Sequence, residues 1–155
     1  MKRRTFIRNS AVFTGSSMIF PWSLSHARNA NERINLAVIG CGRRGRSGLQ
    51  NFFAISGDQN FRFSAVCDVD RNRANQTRSL IEKIYQENGI RQRVRVYQNY
   101  NMVFKARDID AVLIATPDHQ HAQIAIAAAS EGIDVYLEKP LTYTIQEGQE
   151  LVNAV

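Results

Sequence analysis

Three glycines in the spacing G-x-G-x-x-G, Gly40-Cys41-Gly42-Arg43-Arg44-Gly45, directly follow the apolar run Ile34-Asn35-Leu36-Ala37-Val38-Ile39. A strand that ends in such a turn and opens a helix leaves few choices of fold. The first glycine makes the tight turn, the second lets the backbone come close to a bound group, and the third lets helix and strand pack tightly. The first N–H groups of the helix lack intrahelical partners and lie at the positive end of its dipole, so they favour a phosphate. Arg43 and Arg44 stand where they add positive charge to the same place.

Beyond this turn, short β-branched runs alternate with longer stretches at helical spacing, which predicts βαβ units and a parallel sheet. After the strand over 34–39, a helix is expected from about Arg44 to Phe53, a strand over Phe61 to Cys67, and a helix from about Asn72 to Glu87 stopped by Asn88-Gly89. Val94 to Tyr97 reads as a short third strand and Asn99 to Lys105 as a brief helix. Ala111-Val112-Leu113-Ile114-Ala115 is a continuous apolar run suited to a central strand covered on both faces. An alanine-rich helix is predicted from about Gln120 to Ser130, a fifth strand over Asp134 to Glu138, and a last helix from about Thr144. The fold class is α/β, a doubly wound parallel sheet of Rossmann type.

Asp68 stands 23 residues beyond Gly45, at the carboxyl end of the second strand. A carboxylate there accepts hydrogen bonds from adenosine ribose hydroxyls and repels a 2′-phosphate, so the expected cofactor is NAD. Arg71 and Arg73 nearby keep NADP as the lesser alternative. Two further clusters follow strand ends: Thr116-Pro117-Asp118-His119-Gln120-His121 after the fourth, and Glu138-Lys139-Pro140-Leu141 after the fifth. Ligands of open parallel sheets bind outside the carboxyl ends of the strands, so these groups gather on the side of the glycine turn.

With these residues the sequence resembles the glucose-fructose oxidoreductase/inositol dehydrogenase (Gfo/Idh/MocA) family: the glycine turn, Val66-Cys67-Asp68-Val69-Asp70, Ala115-Thr116-Pro117-Asp118 with His121-Ala122, and Glu138-Lys139-Pro140-Leu141. The resemblance runs from about Ile34 to Val155, and the Glu-Lys-Pro step is its most diagnostic part. It implies a catalytic Lys139 beside the nicotinamide and the reacting hydroxyl, where it orients substrate and assists proton transfer. A lysine partly desolvated beside a positive ring has its pKa lowered, as a general base requires. By the same resemblance Glu138 contacts the nicotinamide ribose, unless it only pairs with a nearby base. Thr116, Pro117, Asp118 and His121 wall the cofactor, with a helix-capping role for Asp118 as the alternative. The cofactor-binding set is therefore Gly40, Cys41, Gly42, Arg43, Arg44, Gly45, Asp68, Thr116, Pro117, Asp118, His121, Glu138 and Lys139. No metal is expected, because His119 and His121 are two residues apart and only Asp118 is near as a third ligand.

Charge offers a competing reading. Twenty basic and 14 acidic residues give a net +6 and a pI near 9.7, as in nucleic-acid binders. Lys2, Arg3, Arg4 and Arg8, however, lie in the first 27 residues, which hold no Asp or Glu; without them 16 basic face 14 acidic residues. A body so nearly balanced carries no electrostatic footprint for nucleic acid. The first 27 residues have the layout of an export signal: a basic start, a short apolar stretch from Ala11 to Phe20, and a small-x-small site at Ser25-His26-Ala27. Arg3-Arg4-Thr5-Phe6-Ile7-Arg8 resembles the twin-arginine (Tat) signal, which implies export to the periplasm with cleavage after Ala27. No apolar run is long enough for a stable membrane span. Cys41 and Cys67 are expected as free, buried thiols, since Tat substrates fold before export.

The expected organisation is thus a signal over 1–27 and a dinucleotide-binding domain over 28–155 that continues into a second α/β domain absent from these residues. Ile145, Leu151 and Val152 on the last helix await a partner there. In the family that domain supplies an Asp-x-x-x-His or Tyr-x-x-x-His group, most substrate contacts and the interface of a homo-oligomer, and without it this stretch alone is expected to be inactive. The leading functional expectation is an NAD-dependent oxidoreductase taking a hydride from a sugar, polyol or glycoside hydroxyl carbon. Two others stand beside it: a glycosidase or lyase that uses bound NAD transiently, and a non-catalytic dinucleotide-binding module.

Overall fold

The computed structural model describes residues 33–55 and 60–155; the export signal read from residues 1–27 lies outside them. Ten elements follow in strict alternation: β1 Ile34–Ile39, α1 Arg43–Ile55, β2 Phe61–Cys67, α2 Arg71–Glu87, β3 Arg95–Tyr97, α3 Tyr100–Phe104, β4 Ala111–Ile114, α4 Asp118–Ser130, β5 Asp134–Leu137 and α5 Ile145–Ala154. The sheet has the order β3-β2-β1-β4-β5, and every pair is parallel. The chain thus moves outward from β1 in one direction and then restarts on its other side. This reversal opens a crevice at the carboxyl ends of β1 and β4.

Alternating residues of the central strands feed two cores. Ala37, Ile39, Val112 and Ile114 face α3 and α4 through Val103, Phe104, Ile124, Ala125 and Ala128. Leu36, Val38 and Leu113 face α1 and α2 through Leu49, Ala74, Ile81 and Tyr85. Burial on both faces is why β4 carries an unbroken apolar run. The alanines of α4 let its backbone lie close to the sheet.

The pairing of β1 with β2 slips between Leu36 and Ala37, so that Ser64 is an extra residue. After this bulge the phase of β2 reverses: Phe63 and Val66 share one core, while Ala65 and Cys67 join the other. Phe63 precedes the stretch of β2 that pairs with β3, which begins at Ala65. The Tyr85 hydroxyl meets the Phe63 main chain instead, accepting from its N–H at 2.6 Å and donating to its C=O at 3.1 Å. Burial pushes that phenol up to about 12.

The predicted boundaries shift by a residue or two. One such shift is in α4, which begins at Asp118 rather than near Gln120, with Pro117 at the N-cap and no side-chain cap. Proline has its φ already near the helical value, so the helix can start directly after it. Asp118 is a first-turn acid favourable to the dipole, not the cap. On α5, Leu151 packs on the core while Ile145 and Val152 are 86% and 77% exposed.

Candidate functional site

Gly40 has φ +93°, and a Cβ on it would lie 2.6 Å from the carbonyl carbon and oxygen of Ala115. Only glycine fits there on both counts. Gly45 is excluded from any larger side chain by contact, since its Cβ would be 1.9 Å from the Gly40 carbonyl oxygen. Gly42 differs from both: a Cβ there meets no protein atom within 4 Å and would project into open space.

That space is a cleft of about 840 Å³ at the carboxyl ends of β1, β2, β3 and β4. Of the residues singled out from sequence, Gly40, Gly42, Arg43, Arg44, Asp68, Thr116 and Pro117 border it. Cys41 and Gly45 lie behind it, both buried. Residues beyond β3 also border it, notably Gln98, Asn99, Tyr100 and Asn101, together with His119 and Arg73. No motif in the sequence points to Gln98, Asn99, Tyr100 or Asn101, although the rule that ligands sit at carboxyl strand ends applies to β3 as it does to β2 and β4.

Asp68 holds the wall of the cleft together. One carboxylate oxygen accepts the Cys41 N–H at 2.8 Å and the other accepts the Asp70 N–H at 2.8 Å. The carboxylate thereby ties the glycine turn to the start of α2, and each oxygen keeps a further lone pair for a ribose hydroxyl. Asp70 in turn caps α2 through the N–H groups of Asn72 and Arg73. The Cys41 and Cys67 thiols are free and buried beneath the turn. Burial raises the first to about 11, opposed by the Thr77 hydroxyl and assisted by the Asp68 charge; burial and the neighbouring Cys41 and Asp68 raise the second to about 12.

The two later clusters occupy different depths. The Thr116 hydroxyl is sealed from solvent and has no hydrogen-bond partner, on a residue that borders the cleft. His121, by contrast, is 1% exposed, and its ring nitrogens face the carbonyl oxygens of Pro140 and Thr116. It joins the two clusters from beneath and does not border the cleft. Glu138, also buried, pairs with Arg44 at 2.9 Å. Lys139 is exposed at the end of β5, on a cis bond to Pro140, and has no ion-pair partner among the described residues. Among the described residues no three His, Cys, Asp or Glu side chains gather as metal ligands would.

An open glycine cradle and the N–H groups at the head of α1, which lack intrahelical partners, are the features that a dinucleotide satisfies. Residues 34–155 match the model of the Gfo/Idh/MocA oxidoreductase family, NAD-binding Rossmann fold. The chain belongs to this family. The matched domain is one that binds NAD. Among the relatives are a glycosyl hydrolase family 109 protein of Solibacter usitatus, 31% identical over 127 residues, and an inositol 2-dehydrogenase of Serratia proteamaculans, 31% identical over 121. These alignments cover 79% and 78% of this chain but 28% and 33% of the relatives. A solved myo-inositol 2-dehydrogenase of Lactobacillus plantarum superposes with a TM-score of 0.62 at 27% identity, covering 79% of this chain and 33% of that one. The chain thus spans about a third of the length of these family members.

Proposed function

We propose that the protein carrying this domain is an NAD-dependent oxidoreductase that takes a hydride from the carbinol carbon of a small sugar, polyol or glycoside. The observation that carries the reading is the open Gly42 cradle, in one cleft with Asp68. When bound, NAD supplies the hydride acceptor. The chain's own part is to seat it: backbone N–H groups at the head of α1 meet the phosphates, with Arg43 adding charge, and Asp68 takes the adenosine ribose hydroxyls. Lys139, at the end of the next strand, orients the substrate hydroxyl and takes up its proton at Nζ as the hydride leaves.

The test is a panel of aldoses, polyols and glycosides with NAD, following NADH, in the parent and in Lys139→Ala. Turnover of the parent should fall at least about 100-fold in the variant, the scale of lost acid-base catalysis, and by more than any accompanying loss of NAD affinity. A parent that binds NAD but turns over nothing would make the domain a non-catalytic dinucleotide module. The glycosyl hydrolase relative favours one second reading, in which oxidation is transient and a glycosidic bond breaks. Sugar released without net NADH would decide for it.

The same proposal extends to place and assembly. The order Arg3-Arg4-Thr5-Phe6-Ile7-Arg8 and the Ala27 site support Tat export to the periplasm, a mature chain from Arg28 and a domain over 28–155. Replacing Arg3-Arg4 by two lysines should keep the protein inside the cell, and export unaffected by the change refutes it. Exposed Ile145 and Val152 support packing against a following α/β domain and homo-oligomers built through it. Sedimentation of the protein with that domain tests this, and a monomer refutes it.

A further inference from the structure

Glu138 is a buried carboxylate, and the cation that answers it comes from the glycine turn. Arg44, in the first turn of α1, places Nη2 2.9 Å from Glu138 Oε2. The next residue, Lys139, turns its backbone N–H toward the same oxygen at 3.4 Å. The helix is cut away above this carboxylate. A Cβ on Gly48 would stand 3.2 Å from Leu113 Cδ2 and 3.8 Å from Glu138 Oε1. Glycine weakens a helix interior, so its presence at the centre of α1 reflects what lies beneath it.

Arg44 also borders the cleft, so two roles compete for it. It either meets the phosphates directly, as its place in the turn suggests, or acts on the other end of the ligand through Glu138. The geometry favours the second. A carboxylate with little access to water needs its cation, and without it would turn toward solvent. That change disturbs the main chain of Lys139, which leans on the same oxygen. The phosphates have other donors: the N–H groups at the head of α1, and exposed Arg43, which borders the same cleft.

We propose that Arg44 is a positioning residue: its ion pair with Glu138 sets the Glu138-Lys139 step at the nicotinamide end of the site, and it is not a phosphate reader. The inference rests on the dinucleotide reading of the cleft. Calorimetric titration of the full chain with NAD and with ADP separates the two roles, because ADP has both phosphates but neither the second ribose nor the nicotinamide. Arg44→Ala should weaken NAD about tenfold, equivalent to about 1.4 kcal/mol, and leave ADP within about twofold. Glu138→Gln alone should show the same split, and adding Arg44→Ala to it should cost NAD affinity no more than about twofold further. Arg44→Lys should recover most of the loss. Equal weakening of NAD and ADP in Arg44→Ala with native circular dichroism overturns the proposal, as does a tenfold loss that persists in the Glu138→Gln background. Should Arg44→Ala unfold, Glu138→Gln still decides, since an absent or equal effect on the two ligands overturns the inference. An unaltered chain that binds neither ligand refutes the dinucleotide reading itself.

Discussion

Gly42→Ala and Gly45→Ala lie three residues apart in one turn, and the structure predicts opposite outcomes for them. A methyl group at Gly42 meets no protein atom within 4 Å, and the backbone there is outside the left-handed region. Losing glycine's freedom in the unfolded chain favours folding by about 0.4–1 kcal/mol at such a site, so unfolding in urea should stay within about 1 kcal/mol of the parent. The methyl would, however, fill the space through which backbone N–H groups reach a pyrophosphate. Charge-assisted hydrogen bonds are worth about 1.5–3 kcal/mol each, so losing one weakens NAD by roughly 10- to 100-fold. At Gly45 the new Cβ would be 1.9 Å from the Gly40 carbonyl oxygen and 3.1 Å from its carbon. Gly40 cannot yield easily, because its N–H is held by the Cys67 carbonyl at 2.8 Å and its own Cβ position abuts Ala115. The start of α1 must move instead, at a cost of about 3 kcal/mol, the upper part of the usual range for overpacking. Urea unfolding followed by circular dichroism and calorimetry with NAD measure both effects. Gly42→Ala with the parent's NAD affinity would refute the cradle, and Gly45→Ala with the parent's stability would refute the packing argument.

Asp68→Ala should lower stability by about 2–3 kcal/mol, since the Cys41 and Asp70 N–H groups both lose a charged acceptor, and should weaken NAD by about 1–3 kcal/mol; Asp68→Asn, which keeps one acceptor oxygen, should lose about half as much stability, and unchanged urea midpoints would show that the carboxylate does not hold the turn. For Cys41 and Cys67 the folded-state pKa values, about 11 and about 12, lie above the ordinary 9.0. The unfolded thiols therefore ionise first, so stability is fully present below about pH 9 and falls as pH rises, through about 11 for Cys41 and about 12 for Cys67, by at most about 1.4 kcal/mol per pH unit per group. Urea midpoints measured across this range should fall less steeply in Cys41→Ala/Cys67→Ala, and an identical slope would refute the assignment. Tyr85→Phe strips two hydrogen bonds from the Phe63 main chain and should cost about 2–4 kcal/mol in the same unfolding assay; a loss below about 1 kcal/mol would mean that the bulged strand finds other partners.

What the sequence determined by itself is what depends on near neighbours. Apolar runs of period 2, amphipathic stretches of period 3.6, and stops such as Asn88-Gly89 mark all ten elements to within a few residues, because strand and helix periods are properties of the local backbone. The glycine spacing and the polar clusters after β2, β4 and β5 marked the end of the sheet that carries the cleft, since parallel connections put every carboxyl strand end on one side. Tertiary structure alone decided how those polar groups were shared out. Arg44 and Glu138 are 94 residues apart in sequence yet 2.9 Å apart in space, and Asp68 meets a backbone N–H 27 residues before it. His121 looked like a wall of the cleft and instead lies beneath it, because the face of α4 on which it falls is the one turned to the sheet and the Pro140 segment. The bulge at Ser64 is of the same kind. Strict alternation puts Phe63 and Ala65 in one core, but the slip in pairing with β1 sends them to opposite sides. Register is a relation between two strands, and neither strand's own residues state it.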